Sequence, residues 1–213
     1  MPVQLYIDLS SVIVGALSGA LHAASRRFDI IGAMTIGIIS GLGGGLMRDV
    51  LVADGPPLAL RHSVYLLTAA GTTLLGLFFQ GFVRRLQLAI WILDTLTLGT
   101  FTVAAMDRAF SVGLPSSSVL FVGVIAGVGG ALLRDIISRD VPALLVRGQP
   151  YATASLFGGL VYLSIRAYLP APWEHWIPVV CILALRLAAA WRKWTVPDTE
   201  DLSRWVKRRP PSS

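Results

Sequence analysis

The sequence predicts an all-α membrane protein: seven transmembrane helices, arranged as two inverted three-helix repeats followed by a seventh helix. Three observations predict it. Of 213 residues, 54% are hydrophobic and only 14% charged, whereas a soluble globular chain carries about 25% charged residues. Seven apolar segments divide the chain, several reaching the roughly 20 residues that a bilayer-spanning helix needs. The chain also matches itself without a gap when slid by 86 positions, so that Gly41 falls on Gly127.

The first segment, 3–24, begins within MPVQLYIDLSS and ends in the small residues ALHAA. Those would suit a cleavage site, but the basic n-region of a signal peptide is lacking, so the segment reads as a retained first span. RRFD at 26–29 closes it. The second segment, 30–53, contains GLGGGLMRD (41–49) and stops at ADGPP (53–57). The third, 63–83, ends at Arg84 and Arg85. The fourth, 87–106, carries Asp94 and ends at MDR; the fifth, 116–138, contains GVGGALLRD (127–135) and stops at SRDVP. The sixth, 151–169, gives way to PAPWEH, and the seventh, 173–191, carries Arg186. The organisation is therefore a first repeat at 1–86, a second, inverted repeat at 87–172, a seventh helix at 173–191 and a basic tail at 192–213.

The repeat extends well beyond the glycine motif. Gly43, Gly44, Leu46, Arg48 and Asp49 fall on Gly129, Gly130, Leu132, Arg134 and Asp135. Asp54, Pro56, Leu58, Arg61 and Tyr65 fall on Asp140, Pro142, Leu144, Arg147 and Tyr151; upstream, Asp8 and Gly37 fall on Asp94 and Gly123. Each copy holds three spans, an odd number, so the second copy must lie upside-down, as an inverted-topology repeat about a pseudo-two-fold axis in the membrane plane. Arg26, Arg27, Arg84, Arg85, Arg139, Arg147, Arg192, Lys193 and the basic residues of the tail share one side, against Arg61, Arg108 and Arg166 on the other. Positive charge marks the cytoplasm, which places the C-terminus inside and the N-terminus outside.

Several function classes fall away. The net charge of +6 is spread over segment ends rather than interleaved with aromatics on a polar face, which argues against nucleic acid. Cys181 is the only cysteine, so no intramolecular disulfide can form. His22, His62 and His175 lack metal-ligand spacing. Leu46 stands where a dinucleotide fingerprint needs glycine, and no Gly-Lys-Ser/Thr is present. No nucleophile-base pair stands at a workable spacing, so an enzyme is not expected.

The glycines have two readings. Ala33, Gly37, Gly41 and Gly45 recur every four residues, as do Gly123, Gly127 and Ala131, the spacing that lets transmembrane helices approach closely. Gly43 and Gly44 lie off that stripe. Each interior glycine weakens a helix by about 1 kcal/mol relative to alanine, and matched breaks in both halves point to a binding or conduction site. A local bend or unwinding is therefore expected at Gly43, Gly44 and Gly45 and at Gly129 and Gly130.

Arg48-Asp49 and Arg134-Asp135 follow a turn later. They either close helix ends at the interface or face the interior and pair there. Sequence neighbours point to different helix faces, so Arg48 is expected to pair with Asp135 and Arg134 with Asp49, or the two arginines with Asp8 and Asp94. Asp8 and Asp94 lie inside spans, each followed by hydroxyls. Acidic groups along a water-filled path favour cations, and the inversion sends the two toward opposite mouths; Asp8 could alternatively be interfacial.

Two three-helix halves with this doubled motif and a lone seventh helix resemble the prokaryotic trimeric intracellular cation (TRIC) channel family, a sequence family also described as the bacterial glycine-transporter-like, or UPF0126, domain in two copies. The resemblance covers about residues 3–191. It implies a homotrimer with a hydrophilic pore in each protomer, lined by the first, second, fourth and fifth helices. It also implies kinks in the second and fifth helices at the glycines, and pore-side charge at the Arg-Asp pairs. Ala131 replaces the third glycine of the second copy, which implies a milder or differently placed kink there. The expected function is a monovalent-cation channel, mainly for K⁺, in the inner membrane. Expected partners are other copies of the chain, membrane lipids and permeant K⁺ or Na⁺, with no cofactor. A secondary transporter of a small zwitterion such as glycine is the alternative: half-helix N-termini would hold its carboxylate.

Overall fold

A computed structural model describes residues 2–82, 86–145 and 150–194. Arg84, Arg85, Arg147 and the tail from 195 onward lie outside the described residues. The described residues are helical or in turns, with no strand among them. The helices are α1 (Pro2–Ser25), α2 (Ile30–Val52), α3 (Leu58–Arg61), α4 (Ser63–Phe79), α5 (Leu86–Ser111), α6 (Ser116–Ile137), α7 (Ala152–Ile165) and α8 (Trp173–Arg192), with a 3₁₀ turn at Gln80–Phe82.

Each of the seven expected segments coincides with a helix. By length and hydropathy, five qualify as membrane spans: α1, α2, α5, α6 and α8. The third and sixth segments are shorter than expected, at 17 and 14 residues, or about 26 and 21 Å at 1.5 Å per residue. The causes are local. Gln80-Gly81 tightens the end of α4 into a 3₁₀ turn, and α7 stops at Arg166, whose guanidinium stacks 3.6 Å above the Phe110 ring. The short α3 follows Pro56-Pro57, proline being pre-organised for a helix start.

The surface suits lipid. Leu66, Leu67, Leu74, Leu75 and Phe78 of α4 point outward, and Tyr6, Tyr168, Trp173 and Trp191 are exposed near helix ends, where amphipathic rings meet headgroups. The protein is a multi-pass membrane protein.

Helices α1, α2, α5 and α6 pack together at the centre; α4 flanks α1 and α2, α7 flanks α5 and α6, and α8 lies on α5 and α7. The repeat is visible in the backbone. Arg27 and Gly113 both have left-handed φ, of 57° and 81°, and so do Ala53 and Arg139, at 55° and 58°; each pair is 86 positions apart.

At the α2–α6 crossing the contacts are reciprocal. A methyl placed on Gly44 would lie 2.6 Å from the Ala126 carbonyl oxygen, and one on Gly130 would lie 2.5 Å from that of Ser40. One on Gly43 would meet Leu133 at 3.1 Å, and one on Gly129 would meet Met47 at 3.0 Å. Ser18 of α1 bonds Asp94 of α5 and Gly15 lies against Thr97, so α1 and α5 run antiparallel, and so do α2 and α6, which return beside them.

Of the bend or unwinding expected at Gly43–Gly45 and Gly129–Gly130, the unwinding is absent: α2 and α6 are continuous through these residues. Three glycines cost a helix about 3 kcal/mol, whereas each backbone group freed in lipid costs several kcal/mol. The glycines instead let two backbones touch, which is the packing reading.

Gly45 is the exception. A methyl there would meet only Arg48 and Phe101, at 3.9 Å. Gly44→Ala should therefore destabilise the fold by about 1–3 kcal/mol, as overpacking does, while Gly45→Ala should be nearly neutral. Thermal unfolding of the two variants in detergent compares them directly, and equal losses would refute this account of the crossing.

Candidate functional site

Arg48 sits near the C-terminal end of α2, buried to 3% exposure. Its guanidinium addresses two carboxylates at once: Nη1 donates to Asp8 Oδ1 of α1 at 2.5 Å, and Nε donates to Asp49 Oδ1 at 2.8 Å. The free oxygens are also used. Tyr65 of α4 donates its hydroxyl to Asp8 Oδ2 at 3.2 Å, and Asp49 Oδ2 accepts the Leu58 backbone N–H at 2.7 Å. Leu58 opens α3, whose first N–H groups have no partner within the helix, and Pro57 before it offers no side-chain cap. Asp49 thus serves as an arginine partner and as a remote helix cap.

The second half repeats the arrangement 86 positions on. Arg134 donates from Nη1 and Nη2 to the two oxygens of Asp94, at 2.7 and 3.0 Å, and from Nε to Asp135 Oδ1 at 2.9 Å. Asp135 Oδ2 accepts the Ala143 N–H at 3.2 Å. Here the halves also meet: the Ser18 hydroxyl of α1 donates to Asp94 Oδ1 and accepts from Arg134 Nη1. The position equivalent to Ser18 is Ala104, so the first cluster has no such cap.

One expectation needs correcting. Arg48 does bond Asp49, its neighbour in sequence, because a long side chain can fold back where the Cβ direction alone would forbid the contact. Of the two pairings expected for the arginines, the one with Asp8 and Asp94 is found and the one with Asp135 and Asp49 across the two halves is not. The antiparallel crossing explains this: Arg48 lies about ten residues along α6 from Asp135, roughly 15 Å at 1.5 Å per residue.

Buried arginines need such partners. Leaving one member of a buried ion pair uncompensated costs about 3–5 kcal/mol, and a fork of donors can satisfy two carboxylates at fixed angles. Each cluster holds one arginine and two aspartates, a formal charge of −1. A cavity of about 10 Å³ lies beside Asp8, Gly45, Arg48, Asp49, Tyr65 and Phe101. A second of about 10 Å³, sharing Asp49 and Leu58, continues toward Asp54 and Arg108. Each is close to the volume one water requires.

Farther out, ion pairs join the halves. Arg108 of α5 pairs with Asp54 after α2, while Arg26 of α1 pairs with Asp140 after α6, where His22 Nε2 lies 3.1 Å from the same carboxylate. Asp54 and Asp140 are equivalent positions, as are His22 and Arg108. Of the predicted site residues, the structure brings Asp8, Arg48 and Asp49 into one cluster and Asp94, Arg134 and Asp135 into the other. Gly43, Gly44, Gly129 and Gly130 lie at the helix crossing between them. Tyr65 and Ser18 were not singled out as site residues; Tyr65 carried a signal, since it recurs as Tyr151, and Ser18 carried none.

The comparisons with known proteins agree with this geometry. The profile of the Glycine transporter family matches twice, at residues 5–81 and 91–167, again 86 positions apart. A UPF0126 membrane protein of Deinococcus radiodurans is 36% identical over 78% of this chain and 78% of its own. The UPF0126 inner membrane protein YadS of Escherichia coli K12 is 32% identical, over 86% of this chain and 90% of its own. Among solved structures, a prokaryotic TRIC channel in 0.5 M KCl superposes with a TM-score of 0.82 at 28% identity, covering 89% of this chain and 96% of that one. The TRIC trimeric intracellular cation channel orthologue from Rhodobacter sphaeroides gives 0.84 at 25% identity, covering 90% and 100%. The chain belongs to the Glycine transporter (UPF0126) family of membrane proteins, the sequence family of the prokaryotic TRIC channels.

Proposed function

We propose that this protein is a homotrimeric, K⁺-conducting cation channel of the inner membrane. Each protomer would hold its own pore among α1, α2, α5 and α6, narrowed where α2 and α6 cross at Gly43, Gly44, Gly129 and Gly130. The observation that carries the reading is charge. Arginines in a conduction path would repel cations, but Arg48 and Arg134 are each outnumbered by two carboxylates, so neither stands as an uncompensated positive charge, and carboxylates along the path favour cations.

The likeness to TRIC channel structures supports a channel, and YadS supports the membrane assigned. The antiparallel α2–α6 crossing supports the inverted repeat of 1–86 and 87–172. In that topology Asp54–Arg108 lies at the outer face and Asp140–Arg26 at the cytoplasmic face, with the N-terminus outside. The glycine-transporter alternative needs half-helix N-termini at broken helices. Continuous α2 and α6 remove those donors.

Self-association has a structural counterpart. An apolar cleft of about 720 Å³ opens between α1, α4 and α5, lined by Ile13, Leu17, Leu21, Thr72, Leu75 and Gly76 among others. On the other half, Gly99, Val103, Asp107, Gly158 and Tyr162 stand at the positions equivalent to Ile13, Leu17, Leu21, Thr72 and Gly76, and those residues receive α8. The cleft is the vacant twin of the α8 seat and supports docking of a second copy there.

Purified protein in planar bilayers should give unitary K⁺ currents; saturable glycine uptake into liposomes with no unitary steps would overturn the channel. Arg48→Ala should lower stability in detergent by about 3–5 kcal/mol, and Asp8→Asn combined with Arg48→Gln should recover a large part of that loss; no recovery would mean that Asp8 is not the partner. Leu75→Trp, filling the cleft, should convert trimers to monomers by size-exclusion with light scattering while helical content by circular dichroism stays constant. Persistent trimers would move the interface elsewhere.

A further inference from the structure

The two buried clusters are built alike but are not electrically alike, and α8 makes the difference. Arg186, in the second-last turn of α8, is only 5% exposed. Its Nη1 donates to the Thr95 hydroxyl at 2.7 Å, and Thr95 in turn donates to the Trp91 carbonyl at 2.8 Å. The guanidinium carbon lies 5.0 Å from the centre of the Trp91 ring and 4.7 Å from that of Tyr151, within the range of cation–π attraction. Nε has no hydrogen-bond partner. Thr95 is the neighbour of Asp94, so this cation stands beside the second cluster.

Nothing equivalent is possible in the first half. The positions matching Trp91 and Thr95 are Leu5 and Leu9, which offer neither a ring face nor an acceptor. Within the protomer no helix fills the twin of the α8 seat. Tyr65, the equivalent of Tyr151, keeps its hydroxyl on Asp8. The second half alone therefore has a seat built for this guanidinium. The first cluster, Arg48 with Asp8 and Asp49, carries a formal −1. The second, Arg134 with Asp94 and Asp135, also carries −1, and Arg186 brings that end to zero.

We propose that Arg186 is a rectifying charge: by neutralising the cytoplasmic cluster and leaving the outer one negative, it makes cation conduction unequal in the two directions. The inference rests on the channel reading. A fixed negative charge raises the local cation concentration at its own mouth. In the topology above the negative mouth is the outer one, so inward cation current exceeds outward current at equal and opposite voltages. Charge sets the effect more than shape, so Arg186→Lys keeps it and Arg186→Gln removes it.

The test is the single-channel current–voltage relation of the full-length protein in planar bilayers with symmetric KCl. The magnitude of the rectification ratio does not depend on the orientation of insertion. The wild type should rectify by about twofold, Arg186→Lys should retain that ratio, and Arg186→Gln should bring it close to one. If Arg186→Gln does not accumulate, Trp91→Leu with Thr95→Leu gives the second half the residues of the first, unseats the guanidinium and should flatten the ratio likewise. Wild-type currents whose ratio is unchanged by these substitutions overturn this proposal alone. An absence of wild-type current overturns the channel reading and this proposal with it.

Discussion

Two arginines buried in an apolar helix bundle set the terms for the rest of the molecule. An uncompensated buried charge costs several kcal/mol, so Arg48 and Arg134 must each bring carboxylates with them. Those carboxylates come from different elements. Asp8 ties α1 to α2, Asp49 ties α2 to the start of α3, and Tyr65 brings in α4. The set Asp94, Asp135 and Ala143 repeats the scheme around α6. The first cluster holds the third helix of its half, α4, near the first two, although α4 is short and presents much of its surface to lipid.

The glycine crossing and the charge clusters are two parts of one arrangement. Close approach of α2 and α6 at Gly43, Gly44, Gly129 and Gly130 brings the two halves into contact along their backbones. Because the helices cross antiparallel, each Arg-Asp pair is carried away from the crossing in opposite directions. The same sequence phrase, written twice, therefore yields two charged stations on either side of a tight waist. Had the helices been parallel, the four charged residues would have crowded at one level, and pairing between the halves would have been available.

Most of this organisation was legible in the sequence because it is periodic. The seven apolar segments, the 86-position repeat and the candidate pair Asp8 and Asp94 all come from patterns that need no knowledge of distance. What was not legible depended on competition between energies. Gly43–Gly45 look like a break by propensity, yet the cost of an unpaired backbone in lipid keeps the helix whole. Arg48 and Asp49 point apart by Cβ direction, yet a flexible four-bond side chain reaches back. Ser18 is one serine among many until the fold sets it beside Asp94. The role of Arg186 is not legible in the sequence because its seat draws on three separated positions, 91, 95 and 151, and its meaning appears only when the other half is seen to lack one.

The choice of arginine rather than lysine follows from the same geometry. A lysine ammonium is a compact charge that three donors surround, and it could follow one carboxylate as that carboxylate moved. The guanidinium is a rigid planar fork, and here its Nε and Nη atoms face two carboxylates from two different elements. The fork therefore fixes the angle between those elements as well as their separation. An arginine held by two aspartates also remains in a locally negative setting, where a single ion pair would be neutral. A residue type whose charge repels cations can thus act as the brace of a cation path, provided two acids accompany it. In both halves two acids do.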